Sequence, residues 1–557
     1  MESQSPTEMK NCKLPQWFLW PLLLVCLLPT VFFMFMDTYR TGDEIVTYGM
    51  ANEPEQGWMF SKGRIRAYMD TEIFGDGAGS IPGNLARAAK DVLQNRKNAV
   101  FFQMERPAET GWYTGEQLQD YLAITKGESF RPGEIYLNGM GDDANSFLYY
   151  LCLHLLSSIA PAISASKWSG FLLNLFCMAA SLYLLFRIAQ AYVEERGACY
   201  LIVAAYACSA AAVCMFTNIR PYALATVMFE MLLLLHLKML RNLERNGVSA
   251  AKKYFKWLVP VYVISYISHY TAGIWAICLA VFTICQAYKQ KEFVRSYLLT
   301  GILAVILGIC ADPMSVLGLL SKLKGSEGNG LFTAYGDMFS EWVYGIFGTP
   351  LWLLPVGALC GIALYRYRSA ERRVFHLEYL FIVLLPVVYM FLSTFLMKSV
   401  RICTVMPLFF LLFGLLITYA WGGKKKWKAI LFALCFLLWS GGMCAGLIRE
   451  KKEERKDYLM LEEQLAQYDT DSIVFLRAHG AGYDKIPLLQ NYERIYLWTT
   501  DEDWQEYAAE AKQALGNDRL VLIDGNPKEL WQEAADRWGV SAEQVFGNEQ
   551  YWLMQVP

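Results

Sequence analysis

Long apolar runs dominate this sequence and constrain its fold more than any single motif does. A helix needs about 20 consecutive apolar residues to cross a bilayer. The chain has 557 residues, of which 55% are hydrophobic and 18% are charged, and it contains many runs of about that length. We therefore expect an all-α polytopic membrane domain with about 11 transmembrane helices. The predicted spans are residues 17–36, 168–186, 199–217, 221–240, 254–268, 271–288, 297–311, 349–365, 377–396, 402–421 and 429–447.

Loops rich in Lys and Arg predict how these spans are oriented, because such loops favour the cytoplasmic side. Alternating spans place the four most basic loops on one side, with the N-terminus in the cytoplasm and both a large first external loop (37–167) and the C-terminus outside. This count leaves no crossing for residues 146–163, which we predict to form a juxtamembrane or shallow re-entrant helix on the outer face. The four basic loops are residues 241–256, 289–295, 366–373 and 424–428.

The sequence changes character after residue 447, which divides it into a transmembrane domain (1–447) and an extracytoplasmic domain (448–557). Strand-like runs alternate with helical patterns there, which is typical of a small α/β domain with a largely parallel sheet. The segment 478–482 resembles a phosphate-binding loop, but it lacks the Gly-Lys-Ser/Thr or Gly-x-Gly-x-x-Gly pattern and is better explained as a turn. The predicted strands are 472–476, 494–498, 519–523 and 551–556, and the predicted helices are 503–515 and 528–538.

Composition limits the partners and the compartment. The net charge is −2, and the basic residues lie mainly in short loops, so nucleic acid is an unsuitable partner. Neither 37–145 nor 448–557 contains a cysteine, so no disulfide can form within the two regions predicted outside. The chain has no Asn-x-Ser/Thr sequon. These features fit a bacterial plasma membrane and its cell envelope.

Two acidic pairs are placed next to the membrane. Asp43 and Glu44 follow the first apolar helix, and Asp142 and Asp143 come directly before the predicted juxtamembrane helix. Paired carboxylates suit a general base or a cation site. The alternative is a solvated acidic surface. The recurrence of such a pair on the same predicted surface favours a functional role, with Asp43 and Glu44 as catalytic candidates and the second pair as an acceptor or second acidic site.

Cationic and hydrogen-bonding side chains lie at the predicted outer ends of three helices. Arg220 and Tyr222 open one span, Lys398 and Arg401 precede another, and His269 occupies an outward tip. An arginine at that depth either extends toward water or binds an anion. Together these five residues predict a phosphate site at the depth of the lipid headgroups.

These residues occur in the order found in a known family. The chain resembles the GT-C class of membrane glycosyltransferases, and within it the dolichyl-phosphate-mannose protein mannosyltransferases and their bacterial relatives that use polyprenyl-phosphate sugars. The first external acidic pair of that family is matched by Asp43-Glu44, and three further motifs follow in order. The family's His-Pro-Pro is replaced by Asn145-Ser146-Phe147. The three further matches are Asp142 to His154, Asn218 to Leu224 and His269-Tyr270.

The resemblance implies transfer of a single hexosyl or pentosyl group from a polyprenyl-phosphate donor to an acceptor at the outer face of the plasma membrane. Asp43 would be the general base, and Arg220, Tyr222 and Arg401 would stabilise the phosphate leaving group, assisted by His269 and Lys398. The donor is already activated. No cofactor or metal is therefore required, although the acidic pairs leave room for a divalent cation.

Two other classes of function stay open. A transporter or flippase for a lipid-linked intermediate would also need outer cations, but it should show inverted repeats or charges at mid-membrane depth, and the sequence shows neither clearly. A non-catalytic receptor or scaffold would account for the C-terminal α/β domain. The sequence identifies neither the sugar nor the acceptor, and it does not give the oligomeric state or the role of the last domain.

Overall fold

The structure of the protein is a computed structural model, and most of what it describes lies in the first 317 residues and beyond residue 455. The predicted spans at 349–365, 377–396 and 429–447 and the predicted helix at 503–515 fall largely outside the described residues. Those residues are 16–37, 39–53, 68–75, 77, 79–95, 99–100, 110–125, 127–140, 147–193, 196–317, 404–421, 455–468, 470–478, 482–499, 520–539 and 541–556, with short pieces between 385 and 514.

Helices make up the first part of the chain, and the strands are concentrated at its end. In chain order the helices are α1 (Leu19–Met36), α2 (Gly42–Asn52), α3 (Ile81–Asn95), α4 (Gly115–Leu122), α5 (Pro132–Met140), α6 (Leu148–Ile159), α7 (Lys167–Tyr192), α8 (Arg196–Ala207), α9 (Ala210–Thr217), α10 (Tyr222–Lys252), α11 (Phe255–Ser268), α12 (Ala272–Ala287), α13 (Lys291–Ala311), α14 (Met406–Trp421), α15 (Ile486–Leu489) and α16 (Pro527–Trp538). The strands are β1 (Gly111–Tyr113), β2 (Ser472–Arg477), β3 (Arg494–Thr499), β4 (Leu520–Asp524), β5 (Glu543–Gly547) and β6 (Tyr551–Gln555).

Several helices are suited to a membrane. In the part of the chain that the structure describes, α1, α7, α10 and α13 are long and apolar enough to cross one, and the pair α8 and α9 makes a fifth if it is counted as one broken span. That pair corresponds to the span predicted at 199–217, and its two halves are bent by 57°. The bend occurs at Ser209, whose hydroxyl accepts a hydrogen bond from the amide of Ala212 and caps the second half.

The predicted juxtamembrane segment forms α6, a helix of 12 residues. At 1.5 Å per residue it is about 18 Å long, well short of the roughly 30 Å hydrocarbon layer. It is held from the side, since the hydroxyl of Tyr149 donates to Asn174 Oδ1 of α7 at 2.8 Å. Its length agrees with the prediction that this segment does not cross the membrane.

Contacts between loops show which helix ends share one side. Lys167 at the start of α7 lies 3.1 Å from Asp37, which follows α1. Glu44 accepts a hydrogen bond from the amide of Ile219, just before α10. The ring of Tyr222 lies 5.4 Å from that of His269, between α11 and α12. The segments after α1, before α7, before α10 and between α11 and α12 therefore lie together, as the loop pattern predicted.

The strands form one six-stranded sheet in the order β1-β3-β2-β4-β6-β5. The predicted strands lie within a residue or so of those observed. Only β2 with β3 and β2 with β4 pair in parallel, and the other three pairings are antiparallel. The sheet is therefore mixed and not largely parallel. Its edge strand β1 comes from the predicted first external loop, so the sheet joins the two regions that the sequence separates at residue 447.

Apolar packing fixes α2 against this sheet. Ile45 and Tyr48 of α2 belong to one buried cluster with Ile473 and Phe475 of β2 and Ile486 of α15. Burial of apolar side chains is the main favourable term in such packing. It holds the beginning of α2 beside the carboxyl ends of the central strands.

Candidate active site

Asp43 is placed by a capping box at the beginning of α2. The hydroxyl of Thr41 accepts a hydrogen bond from the amide of Glu44, and the carboxylate of Glu44 accepts one from the amide of Thr41 at 3.0 Å. Asp43 lies between these two residues, and its side chain is 69% exposed. The amide groups at the start of α2 lie beside this carboxylate. The local sequence therefore fixes a helix start that presents one accessible carboxylate.

Glu44 has a different environment from its neighbour. It is only 2% exposed, and one carboxylate oxygen accepts a hydrogen bond from the amide of Ile219 at 3.0 Å. The other oxygen, which also caps the helix, lies 3.2 Å from Lys167 Nζ. The carboxylate thus joins α2 to the starts of α7 and α10. This position gives Glu44 a structural role, whereas the sequence analysis placed it with Asp43 as a catalytic candidate.

Arg220 approaches Asp43 from the segment before α10. One terminal nitrogen donates to the backbone carbonyl of Asp43 at 3.0 Å and to the hydroxyl of Thr47 at 3.2 Å. The other lies 3.7 Å from the Asp43 carboxylate. Arg220 is 5% exposed. It therefore does not extend into water, and the alternative of simple snorkelling does not describe it.

Tyr222 and His269 lie beside this pair of charges. Tyr222 is the first residue of α10 and is 5% exposed. His269 is fully buried, stacks on Tyr270 at 4.7 Å and makes a 2.7 Å contact from Nδ1 to the hydroxyl of Thr271. Both α10 and α12 begin in this region. Helix beginnings carry partial positive charge and free amides, which suit an anion.

Four predicted site residues lie outside the described residues, namely Asp142, Asp143, Lys398 and Arg401. Their assignments as a second acidic site and as further phosphate-binding groups stay predictions.

Sequence reasoning missed two buried charges that organise the site. Lys167 is 8% exposed and lies 3.1 Å from Asp37 and 3.2 Å from Glu44, and it donates to the carbonyl of Tyr39 at 2.5 Å. Asp37 is 7% exposed. A lysine directly at the start of one apolar run and an aspartate directly at the end of another were visible signals. Nothing in the linear pattern indicated that the two meet.

His154, the last residue of the second motif, is also structural. Its ring is fully buried in α6. Nε2 accepts a hydrogen bond from the amide of Arg131 at 3.0 Å, so Nδ1 carries the proton and donates to the carbonyl of Ala51 at 2.7 Å. Burial lowers the pKa of His154. The neutral ring thus ties α6 to the end of α2.

One group of carboxylates in the described part of the chain could hold a cation. Oxygens of Glu53, Asp120 and Glu128 lie within 4.8 Å of one another. Glu53 follows the last residue of α2. Since α2 has 11 residues, this group is about 15 Å from Asp43. It does not belong to the arrangement around Asp43 and Arg220.

A cavity of about 590 Å³ opens next to Asp43. One wall is the beginning of α2, and the other is formed by the segments that follow β2 and β4 and by the turn between β5 and β6. The hydroxyl of Tyr39 donates to Asp484 at 2.6 Å and links the walls. Lys485 Nζ lies 2.5 Å from Asp484 and 3.7 Å from Asp524. Burial, reinforced by the charge of Asp484, raises the pKa of Asp524 to about 6.

We expect Glu44→Gln to destabilise the protein. Glutamine has a single acceptor oxygen and cannot accept from the amides of both Thr41 and Ile219. Lys167 also loses one of its two buried carboxylate partners, so the free energy of unfolding should fall by roughly 1–3 kcal/mol. Thermal unfolding in detergent measures this. Gln117→Ala is the control, because Gln117 makes the same capping contact in the exposed box of α4. Equal unfolding temperatures for Glu44→Gln and the wild type would contradict the structural role.

The raised pKa of Asp524 predicts that the stability of the protein depends on pH. Its folded pKa of about 6 lies above the ordinary 3.8, so the neutral form is favoured on folding. The stabilising contribution is complete below pH 3.8 and is lost as the pH rises through 6. Relative to wild type, Asp524→Asn should gain roughly 2 kcal/mol between pH 4 and pH 7. Thermal unfolding of both proteins across this range tests it, and parallel pH profiles would disprove it.

No family model and no curated protein matches this chain. Three solved chains match, including two crystal structures of ArnT from Cupriavidus metallidurans. The structure bound to undecaprenyl phosphate has 10% sequence identity and a TM-score of 0.47, and the alignment covers 74% of this chain and 88% of that one. The apo structure has 12% sequence identity and a TM-score of 0.46, and its alignment covers 74% of this chain and 87% of that one.

ArnT is a GT-C glycosyltransferase, the class that the sequence motifs resemble. Identities of 10% and 12% with TM-scores below 0.5 are too low for this likeness to assign an activity to the chain. The chemistry of the residues around Asp43 is therefore the basis for a function.

Proposed function

We propose that the protein is a glycosyltransferase that moves a single sugar from a polyprenyl-phosphate donor to an acceptor hydroxyl at the outer face of the plasma membrane. The observation that carries this proposal is the pairing of an accessible carboxylate, Asp43, with a buried guanidinium, Arg220, at the ends of apolar helices. A base and an anion-binding group are what this reaction requires at the depth of a lipid phosphate.

The reaction is a substitution at the anomeric carbon. The acceptor oxygen forms a bond to that carbon while Asp43 takes the hydroxyl proton. The bond from the carbon to the phosphate oxygen breaks, and its electron pair leaves with the polyprenyl phosphate. The products are the glycosylated acceptor and the lipid phosphate, and Asp43 then releases its proton to water.

Arg220 would stabilise the charge that develops on the leaving phosphate. The beginnings of α10 and α12 supply further positive potential, and Tyr222 and His269 lie between them. Lys398 and Arg401 would contribute from a later helix. The donor already carries its leaving group, so we propose that no metal or other cofactor takes part.

The outer placement of this site rests on the distribution of basic loops. A reporter fused after Pro557 should therefore show the outer compartment, and one fused after Ile163 should do so too. Both fusions are read with a compartment-sensitive enzyme or fluorophore. A cytoplasmic signal from either one would refute this orientation.

The function itself is tested in cells that contain or lack the chain. Mass spectrometry of lipid-linked sugars and of cell-surface glycans should show a polyprenyl-phosphate sugar that accumulates without the protein, together with a surface glycan that loses the same sugar. Identical profiles for both the lipid and the glycan pools would refute the proposal.

Transport of a lipid-linked intermediate is a second candidate, and one residue favours it. Glu230 is 2% exposed within α10, a helix suited to crossing the membrane. Buried acids at such depth often belong to transport pathways. A transporter should keep its activity in Asp43→Asn and lose it in Glu230→Gln, which is the reverse of what the glycosyltransferase predicts.

A further inference from the structure

The cavity beside Asp43 lies at a particular place in the sheet. After β2 the chain passes to β3 on one side of it, and later returns to β4 on its other side. The connections from β2 and β4 therefore leave in opposite directions. Open sheets of parallel strands bind their ligands outside the carboxyl ends of the strands at such a point. The cavity is lined by residues that follow both strands, including Gly482 and Gly525.

Positive backbone φ angles occur on both segments that line this cavity. Gly482 has a φ of +77°, and a Cβ atom there would lie 2.4 Å from the ring of Phe475. Gly525 and Asn526 also have positive φ, of 81° and 53°. Glycine adopts such conformations without steric cost, so the sequence at Gly482 and Gly525 suits the turns that line the cavity. The volume of about 590 Å³ is within the roughly 300–1,000 Å³ of small-molecule pockets.

The lining is acidic on several separate elements. Asp43 comes from α2, Asp484 from the turn before α15, Asp524 from the end of β4 and Glu549 from the turn between β5 and β6. Lys485 is the cation among the described lining residues, and its ammonium group is shared between Asp484 and Asp524. Two guanidinium groups also act on the lining, Arg220 on Asp43 and Arg477 on Asp524. The four carboxylates still exceed these three cations in number, so the cavity favours a positively charged ligand.

We infer that this cavity is the acceptor site, and that the acceptor is a carbohydrate carrying both a free hydroxyl and a protonated amine. The inference rests on the proposed glycosyltransferase function. The hydroxyl would be presented to Asp43, and the ammonium group would pair with Asp524 and Asp484 on the opposite wall. The C-terminal sheet then selects the acceptor, while the membrane helices hold the donor.

This assignment explains why Asp524 is kept at the strand end. The carboxylate is 13% exposed, and its nearest cation is 3.7 Å away. Lys485 is closer to Asp484, at 2.5 Å, so Asp524 shares this cation with a second carboxylate. An ammonium group entering the cavity would add a further cationic partner for the two carboxylates, and a neutral sugar would not.

The test uses the full chain in lipid nanodiscs and two monosaccharides as probes, glucosamine and glucose. Saturation-transfer NMR at pH 7 gives the Kd of each. We expect glucosamine to bind about 10-fold more tightly or better, since a charge-assisted contact contributes about that much. Asp524→Asn should bring the two Kd values together. Asp536→Asn, which removes an exposed acid from α16, should keep the wild-type ratio.

Glu549→Gln provides a second variant on an exposed turn, where folding is not at risk. It should also reduce the preference for glucosamine. Equal Kd values for the two sugars in the wild type, or a wild-type ratio in both Asp524→Asn and Glu549→Gln, would overturn the inference.

The same nanodiscs are titrated with undecaprenyl phosphate and read by native mass spectrometry. Binding of this lipid that depends on Arg220, without any preference for glucosamine, leaves the proposed function standing and overturns only the acceptor site. Absence of lipid binding overturns the proposed function and the acceptor assignment with it.

Discussion

Replacing Asp43 by Asn should lower sugar transfer by roughly 10²–10⁴-fold and leave donor binding intact. The amide keeps the shape of the carboxylate but cannot take a proton, and loss of general-base assistance has effects of this size. The helix start should survive, because the capping contacts are made by Thr41 and Glu44 and not by Asp43. Turnover is measured with a lipid-linked donor and binding with undecaprenyl phosphate.

The chain offers a matched control for this variant. Glu116 occupies the same position in the capping box of α4 that Asp43 occupies in α2, one residue before the box partner, and it is exposed. Glu116→Gln therefore removes an equivalent charge from an equivalent helix start, and turnover should stay at the wild-type level. If Asp43→Asn is as active as Glu116→Gln, Asp43 is not the base and the enzyme proposal fails.

Replacing Arg220 by Ala should weaken donor binding by about 10- to 100-fold, the value of one charge-assisted contact to a phosphate. Arg220→Lys should restore only part of it, because lysine lacks the planar fork of donors. Arg241→Ala is the control, since Arg241 lies in the second half of α10 and donates to the carbonyl of Ala191. If Arg220→Ala binds undecaprenyl phosphate as tightly as the wild type does, Arg220 does not bind the donor phosphate.

Arg220 also contacts Asp43, so its loss should change turnover in a second way. The guanidinium lies 3.7 Å from the carboxylate and bonds to the backbone of the same residue. Comparing Arg220→Ala with Asp43→Asn separates the two effects. Donor binding should fall only in the first variant, whereas turnover should fall in both. Equal donor binding in the two variants would mean that Arg220 serves only to hold the start of α2.

Local signals in the sequence identified two of the residues that the structure brings together at the candidate site. Asp43 and Arg220 were found because each is a charged residue next to an apolar run, which is a local signal. Glu44 was grouped with Asp43 because a pair of adjacent carboxylates suits a general base or a cation site. At a helix start the two side chains do not share an environment, since successive side chains point in different directions around the axis. One carboxylate became accessible and the other was buried.

The fold, like the site, was predicted correctly where local patterns determine it and wrongly where distant segments do. The predicted strands match β2, β3, β4 and β6 closely, because alternation of apolar and turn-forming residues is written locally in the sequence. The direction of pairing is decided between strands, and there the prediction of a largely parallel sheet was wrong. Neither edge strand, β1 nor β5, was predicted. The three residues of β1 acquire a partner only from β3, and those of β5 only from β6.

The sequence by itself determined the membrane class, the apolar character of the described helices, the side shared by several loops, and the residues that could carry charge near the membrane. These depend on composition, period and capping, which act over a few residues. The predicted spans at 254–268 and 271–288 form helices of 14 and 16 residues, shorter than a full crossing. The tertiary structure alone decided that Glu44 bonds to Ile219, 175 residues away, and that Tyr39 bonds to Asp484, 445 residues away. Burial of a charge and the shape of a cavity depend on which distant segments meet, and no local pattern records that.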